Sequence, residues 1–198
     1  VSGSFKVIIV PSDEHKVVVE ADENLHDYIR IEEEDNRVKI KMKNNVRIKT
    51  PRSIILTVYM RDVSKLELAG SVNLKSEGVL EHSEKLEITI AGSGDADIEV
   101  KSPEVKISIG GAGKVEAAGK TRDLDISIAG SGDFLGEDLM SENVDLSIAG
   151  SGSAKVYASV GLEVSVAGSG NVYYAGNPAK VKKSIAGAGF VKPISEAQ

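Results

Sequence analysis

The sequence predicts an all-β fold: a parallel β-helix (β-solenoid) with coils of about 19 residues, preceded by an N-terminal strand layer or cap. Three observations predict it. A glycine-cornered segment recurs seven times, apolar residues fall into columns across its copies, and the residues before the first copy alternate apolar and polar with period two.

The copies are LELAGSV at Leu66, ITIAGSG at Ile88, ISIGGAG at Ile107, ISIAGSG at Ile126, LSIAGSG at Leu146, VSVAGSG at Val164 and KSIAGAG at Lys183. Counted from the small residue before the first glycine, they begin at 69, 91, 110, 129, 149, 167 and 186, in steps of 22, 19, 19, 20, 18 and 19. Such steps are too short for a helical-hairpin repeat and too long for a nine-residue calcium-binding coil, and the Leu and Asn pattern of a leucine-rich repeat is missing. One coil of a β-solenoid fits.

Strand side chains alternate faces, so alternate columns should point inward. The column at Leu66, Ile88, Ile107, Ile126, Leu146, Val164 and Lys183 is apolar until its last member. The column at Leu68, Ile90, Ile109, Ile128, Ile148, Val166 and Ile185 is apolar throughout, and a third runs from Leu86 through Val105, Leu124, Val144 and Leu162 to Val181. Between them lie polar columns, one of hydroxyls (Thr89, Ser108, Ser127, Ser147, Ser165, Ser184) and one of charges (Glu87, Lys106, Asp125, Asp145, Glu163, Lys182). After the glycines the alternation resumes at Ala96 and Ile98, Val115 and Ala117, Ala154 and Val156, and Val172 and Tyr174. Each coil reads as strand, tight corner, strand, looser turn.

The tight corners are Gly92 and Gly94, Gly111 and Gly113, Gly130 and Gly132, Gly150 and Gly152, Gly168 and Gly170, and Gly187 and Gly189. Two glycines one residue apart allow positive φ and a sharp turn where a Cβ would clash. Stacked coils need the same corner at each level, so geometry accounts for the repetition. The variable stretches KSPE at Lys101, AGKTRD at Ala118 and AGNP at Ala175 read as the looser turns.

The first 60 or so residues lack these corners yet alternate in FKVIIV, HKVVVEA, RVKIKMK and SIILTVYM, so they also read as strands. They supply the end that a solenoid needs over its open core and unpaired edge. Alternation leaves open whether they are parallel rungs or an antiparallel cap. Residues 1–198 thus read as one domain, with 1–62 the N-terminal strand region and 63–198 the seven coils. At the far end, inward Lys183 and the tail PISEAQ suggest the core closing off.

Composition narrows the function classes. The formal net charge of −6 comes from interleaved acids and bases with no basic face, which argues against nucleic acid as a partner. There are no cysteines, hence no disulfide, thiolate metal site or Cys nucleophile. No apolar run approaches the ~20 residues of a spanning helix, and if the protein is exported its signal precedes Val1.

The serial AGSG and AGAG corners, the ending NVYYAGNPAKVKKSIAGAGFVK from Asn171 and the opening FKVIIVPSDEHKVVVEADENL resemble the autotransporter-adhesin family called the head GIN domain. The resemblance covers nearly the whole chain, and YAGNP at Tyr174 to Pro178 before a final glycine corner makes it specific. Val72 in place of the second glycine of the first copy and Gly110 in place of Ala are minor departures. The resemblance implies a β-helix-like domain on exported or lipid-anchored proteins of Gram-negative bacteria, secreted or held at the cell surface, outer membrane or periplasm. It implies adhesin-like binding, no catalytic residues and no cofactor.

The residues themselves offer few chemical sites. GSGD at Gly130 is followed by strand-like alternation, whereas a phosphate cradle opens a helix; GKVEAAGKT at Gly113 has Lys114 where a Walker A motif needs glycine. A calcium ladder would need carboxylates in register, but the column four after the origin holds Asn73, Asp95, Lys114, Asp133, Ser153, Asn171 and Phe190. Asp125, Asp145 and Glu163 do stand on three consecutive coils between Lys106 and Lys182; we read them as a solvated strand face rather than a weak cation site. Asp95 and Asp133, two coils apart, have the spacing of an inverting glycosidase pair, with Lys114 between them to hold both ionised. His15, His26 and His82 are scattered outside the regular coils, and the serine column presents no base.

Tyr173, outward by alternation, and Tyr157 in the preceding coil are the surface recognition candidates, since aromatic faces suit sugar rings or a protein partner. The functional expectation is a non-enzymatic adhesin-like or scaffold domain at the bacterial envelope, binding an unidentified glycan or protein. The alternatives are a β-helix carbohydrate-active enzyme and a structural module whose function is homotypic assembly.

Overall fold

The computed structural model describes residues 1–43 and 53–194. It is all-β apart from one short 3-10 helix, Glu23–Tyr28. The N-terminal region holds β1 (Ser2–Gly3), β2 (Lys6–Pro11), β3 (Lys16–Glu20), β4 (Ile29–Glu34), β5 (Arg37–Met42) and β6 (Ile55–Met60). The coils begin with β7 (Lys65–Gly70), β8 (Asn73–Glu81), β9 (Lys85–Gly92), β10 (Asp95–Gly111), β11 (Lys114–Gly130) and β12 (Asp133–Gly136). They end with β13 (Leu139–Gly150), β14 (Ser153–Tyr157), β15 (Gly161–Gly168), β16 (Asn171–Ala175), β17 (Lys180–Gly187) and β18 (Phe190–Pro193).

The pairings form two facing ladders joined at the corners. One runs β4, β5, β1, β7, β9, the second halves of β10 and β11, then β13, β15 and β17. The other runs β3, β6, β2, β8, the first halves of β10 and β11, then β12, β14, β16 and β18. Pairing is parallel throughout the coils, with Ile88, Ile107, Ile126, Leu146 and Val164 in strict register. All five are at most 1% exposed, so the predicted inward columns are the core.

Both alternatives for the N-terminal region occur together. Strands β2 and β6 are parallel rungs, while the outermost strand of each ladder is reversed: β3 is antiparallel to β6, and β4 to β5.

The glycine pairs stand where one strand ends and the next begins, and the reason for the second glycine is corrected. Gly130 has φ +122°, and a Cβ there would lie 2.4 Å from the carbonyl oxygen of Gly111 in the coil before. Gly132 has no positive φ. It is glycine because a Cβ would lie 2.5 Å from Cγ2 of Ile109 and 2.8 Å from the Gly111-coil carbonyl of Gly113. One glycine of each pair turns the chain, and the other lets successive coils approach.

Two of the predicted looser turns are also corrected. KSPE and AGKTRD lie inside β10 and β11, each an unbroken ladder strand of 17 residues, in the second of which Gly119 bends the chain at φ +116°. They hold this shape because the neighbouring coil pairs with them through the bend, Lys101 with Lys120 and Thr121 with Ser141. AGNP is a loop as expected, between β16 and β17. Lys183 is exposed rather than inward-buried, since among the described residues β17 pairs only with β15. Its Nζ donates to the Val191 carbonyl at 3.0 Å and sits 5.2 Å from the Tyr174 ring centre, covering the end of the core. Residues 195–198 of the predicted closing tail lie outside the described residues.

Candidate functional site

The second corner of the middle coils carries buried polar side chains, an arrangement the alternation did not reveal. Ser102, Thr121 and Ser141 are at most 8% exposed and follow one another in register. Burying a hydroxyl is costly unless it is hydrogen-bonded, and each of these is. Ser102 Oγ donates to the Glu104 carbonyl at 3.0 Å, Thr121 Oγ1 to that of Asp123 at 3.1 Å, and Ser141 Oγ to that of Tyr157. Ser159 Oγ continues the series by donating to the Ser141 carbonyl at 3.2 Å. Ser102 Oγ and Thr121 Oγ1 also reach the Glu84 and Pro103 carbonyls of the preceding coil, at 3.3 and 3.2 Å, so the hydroxyls fasten adjacent coils at the bend.

Outside this bend runs a groove of about 790 Å³ that crosses five successive levels, from Glu81–Ser83 to Tyr157–Ser159. Glu81, Lys101, Lys120 and Met140 stand in register along it. Lys101 pairs with Glu81 at 3.0 Å, and Arg122 Nε donates to Asp123 at 2.8 Å. Lys120 has no ion-pair partner among the described residues. Its charged lining is balanced: Lys101, Lys120 and Arg122 against Asp62, Glu81 and Glu142. Half-buried Tyr157 and exposed Met140 both line the groove.

The two tyrosines singled out from the sequence are therefore differently placed. Tyr157 lines the groove. Tyr173 is outward and 38% exposed, but its ring meets Phe190 edge-on at 5.3 Å and 82°, and it does not line the groove. Tyr174 is partly buried against the core, as alternation required.

Asp95 and Asp133 stand either side of Lys114 in register. Each holds the coil above it: Asp95 Oδ1 accepts the Lys114 backbone N–H at 3.2 Å and Asp133 Oδ1 that of Ser153 at 3.0 Å. The Lys114 ammonium is held above the ordinary lysine range, first by its hydrogen bond to Glu116 and then by the charges of Glu116, Asp95 and Asp133. This is a backbone-fastening arrangement. His82 has a similar role, its Nδ1 accepting the N–H groups of Glu84 and Lys85 at 3.1 and 3.0 Å.

The acidic stripe is in register as read, Asp125 beside Asp145 beside Glu163, with Lys106 bonded to Asp125 and Lys182 to Glu163, both at 3.0 Å. Asp145 in the middle has no such partner. Desolvation, then repulsion from Asp125 and Glu163, raises its pKa above the ordinary 3.8. A raised acid pKa means that the fold disfavours the ionised form, so stability is lost as pH rises through the window above 3.8 and is fully kept below it. Asp145→Asn should melt higher than the parent at pH 7, by roughly 1–2 °C for an exposed charge. The difference should vanish near pH 3 in thermal melts; an equal gap at both pH values would contradict this cause.

Among the described residues no three His, Asp or Glu side chains converge as a metal site, and no helix is long and apolar enough to cross a membrane. The two-ladder coil with its glycine corners matches the family model described as "Putative auto-transporter adhesin, head GIN domain" over residues 1–178. The chain belongs to this family. Solved structures similar to this head GIN domain include a putative adhesin from Bacteroides fragilis, 20% identical with TM-score 0.92 over 98% of this chain and 89% of that one. A putative lipid binding protein from Parabacteroides distasonis is 26% identical with TM-score 0.77 over 98% and 90% of the two chains. A putative adhesin from Parabacteroides merdae is 22% identical with TM-score 0.70 over the same shares. No curated protein matches the sequence. The expected family and fold hold, and family and neighbours alike carry adhesin or binding names.

Proposed function

We propose that this head GIN domain is a non-enzymatic, exported scaffold of the bacterial envelope that binds an extended glycan along the groove at its second corner. The observation that carries the reading is the groove's course across five levels of a rigid, cross-fastened solenoid. A long shallow site suits an extended chain bound by many modest contacts, whereas small-molecule chemistry favours an enclosed pocket. Its balanced charge argues for a neutral polymer over a polyanion, and Tyr157 with Met140 offers apolar surface against which a sugar ring can lie. The backbone-fastening roles of Asp95 and Asp133 weigh against the glycosidase alternative.

A glycan array, with matrix proteins printed beside the sugars, tests this. The intact domain should bind neutral oligosaccharides, and Lys120→Ala and Tyr157→Ala should each weaken binding by about tenfold, the loss of one good contact. Tyr173→Ala lies outside the groove and should have the smaller effect. Binding confined to matrix proteins, or unchanged in Tyr157→Ala, would overturn the proposal.

A further inference from the structure

Among the described residues, both ladders end in open strands at both ends of the solenoid. At the C-terminal end β17 and β18 each lack a second neighbour among the described strands; at the N-terminal end β4 and β3 do. The interior of each end is only partly covered. Ile185 is 41% exposed where Val166, its partner one coil earlier, is 1% exposed, and Ile31 is 42% exposed where its partner Ile40 is 2%.

The outermost segments carry opposite charge, though Lys182 already pairs with Glu163, and Glu34 and Glu32 with Lys39 and Lys41 of β5, all at exposed positions. From Val164 to Ile194 the chain has Lys180, Lys182, Lys183 and Lys192 and no carboxylate. From Ile29 to Asp35 it has Glu32, Glu33, Glu34 and Asp35 against Arg30 alone. Because β4 is reversed relative to the coils, a second molecule stacked in line would present it antiparallel to β17. The register that sets Ile185 opposite Ile31 also sets Lys183 opposite Glu33 and Lys182 opposite Glu34. Opposite charges and apolar pairs across strands are favourable, and β-augmentation would satisfy the free backbone groups.

We propose that the occupant of the C-terminal end is the N-terminal end of a second copy of this chain, giving head-to-tail stacks in which the solenoid continues from molecule to molecule. Such an interface is heterologous and does not close, so it propagates into filaments. The lysines oppose tail-to-tail contact while favouring head-to-tail contact, which sets the polarity of the stack.

Sedimentation velocity of the full 198-residue chain over a wide concentration range tests this, at low and high salt. The expected result is concentration-dependent species larger than a monomer at low salt, reduced at high salt by screening. Lys182→Glu with Lys183→Glu should be monomeric, and so should Glu33→Lys with Glu34→Lys. Mixing the two variants should restore assembly, since each then meets a complementary end; this restoration also shows that both are folded. A parent chain that stays monomeric at low salt would overturn the proposal, whether or not it binds anionic phosphatidylglycerol vesicles through its lysine-rich end. Assembly that neither charge reversal disrupts would overturn it as well.

Discussion

Replacing Gly130 by alanine should destabilise the domain by about 4 kcal/mol, combining the strain of a positive φ in a non-glycine residue with a backbone clash. The clash is with the Gly111 carbonyl, 2.4 Å from the added Cβ. Neither partner can yield cheaply, because Gly111 itself has φ +119° and lies against Gly92, and its carbonyl accepts the Ser131 N–H at 2.9 Å. Gly110 is the internal control. It occupies the small-residue column with no positive φ and only ordinary contact with the Ile90 carbonyl oxygen at 3.7 Å. Gly110→Ala should therefore be neutral or stabilising by up to about 1 kcal/mol. Urea denaturation of the pair separates the two effects, and similar losses at both positions would show that glycine is merely preferred along this segment.

The second large effect is expected at Phe134, which is fully buried in β12. Phe134→Ala should cost roughly 3–5 kcal/mol through lost burial and the cavity left behind. Its ring explains Gly136: a Cβ at 136 would lie 2.4 Å from the Phe134 ring. One coil later the same two positions hold Ala154 and Val156. The level thus fills its core with one large and one absent side chain where its neighbour uses a small and a medium one. Phe134→Ala with Gly136→Val copies the neighbouring level and should recover most of the loss, while Gly136→Val alone should be severely destabilising. Additive losses in the double variant, measured by a double-mutant cycle, would mean that the two positions do not share one space.

These cases mark what could be read from the chain. Parallel in-register coils place like residues on top of one another, so Ile88, Ile107 and Ile126 announce the core by simple alignment. Phe134 and Gly136 hid from that alignment because they conserve the sum of two volumes and neither one singly. The N-terminal strands gave their period but not their direction, since FKVIIV and HKVVVEA alternate alike whether a neighbour runs parallel, as β6 does to β2, or antiparallel, as β6 does to β3. The second corner reads as a loop because Pro103 and Gly119 are turn-type residues, yet both stay in the ladder: Pro103 lies within β10, and Gly119 bends the chain at φ +116° without leaving β11. The groove followed from that bend and was not legible. Its one sequence trace is a hydroxyl residue in each of KSPE and AGKTRD, Ser102 and Thr121, too short a series to stand out among ordinary turn residues.

The central claim is that glycine corners are joints and that recognition belongs to the groove they help to hold in place. The most direct measurement is calorimetric titration of the best array ligand into two variants side by side. Asp133→Asn alters the corner residue that looked chemical but keeps its Oδ1 acceptor for Ser153, whereas Tyr157→Ala alters the groove. The expected result is an unchanged affinity for Asp133→Asn and an affinity about tenfold weaker for Tyr157→Ala. The reverse, a loss at Asp133 with Tyr157 silent, would contradict it.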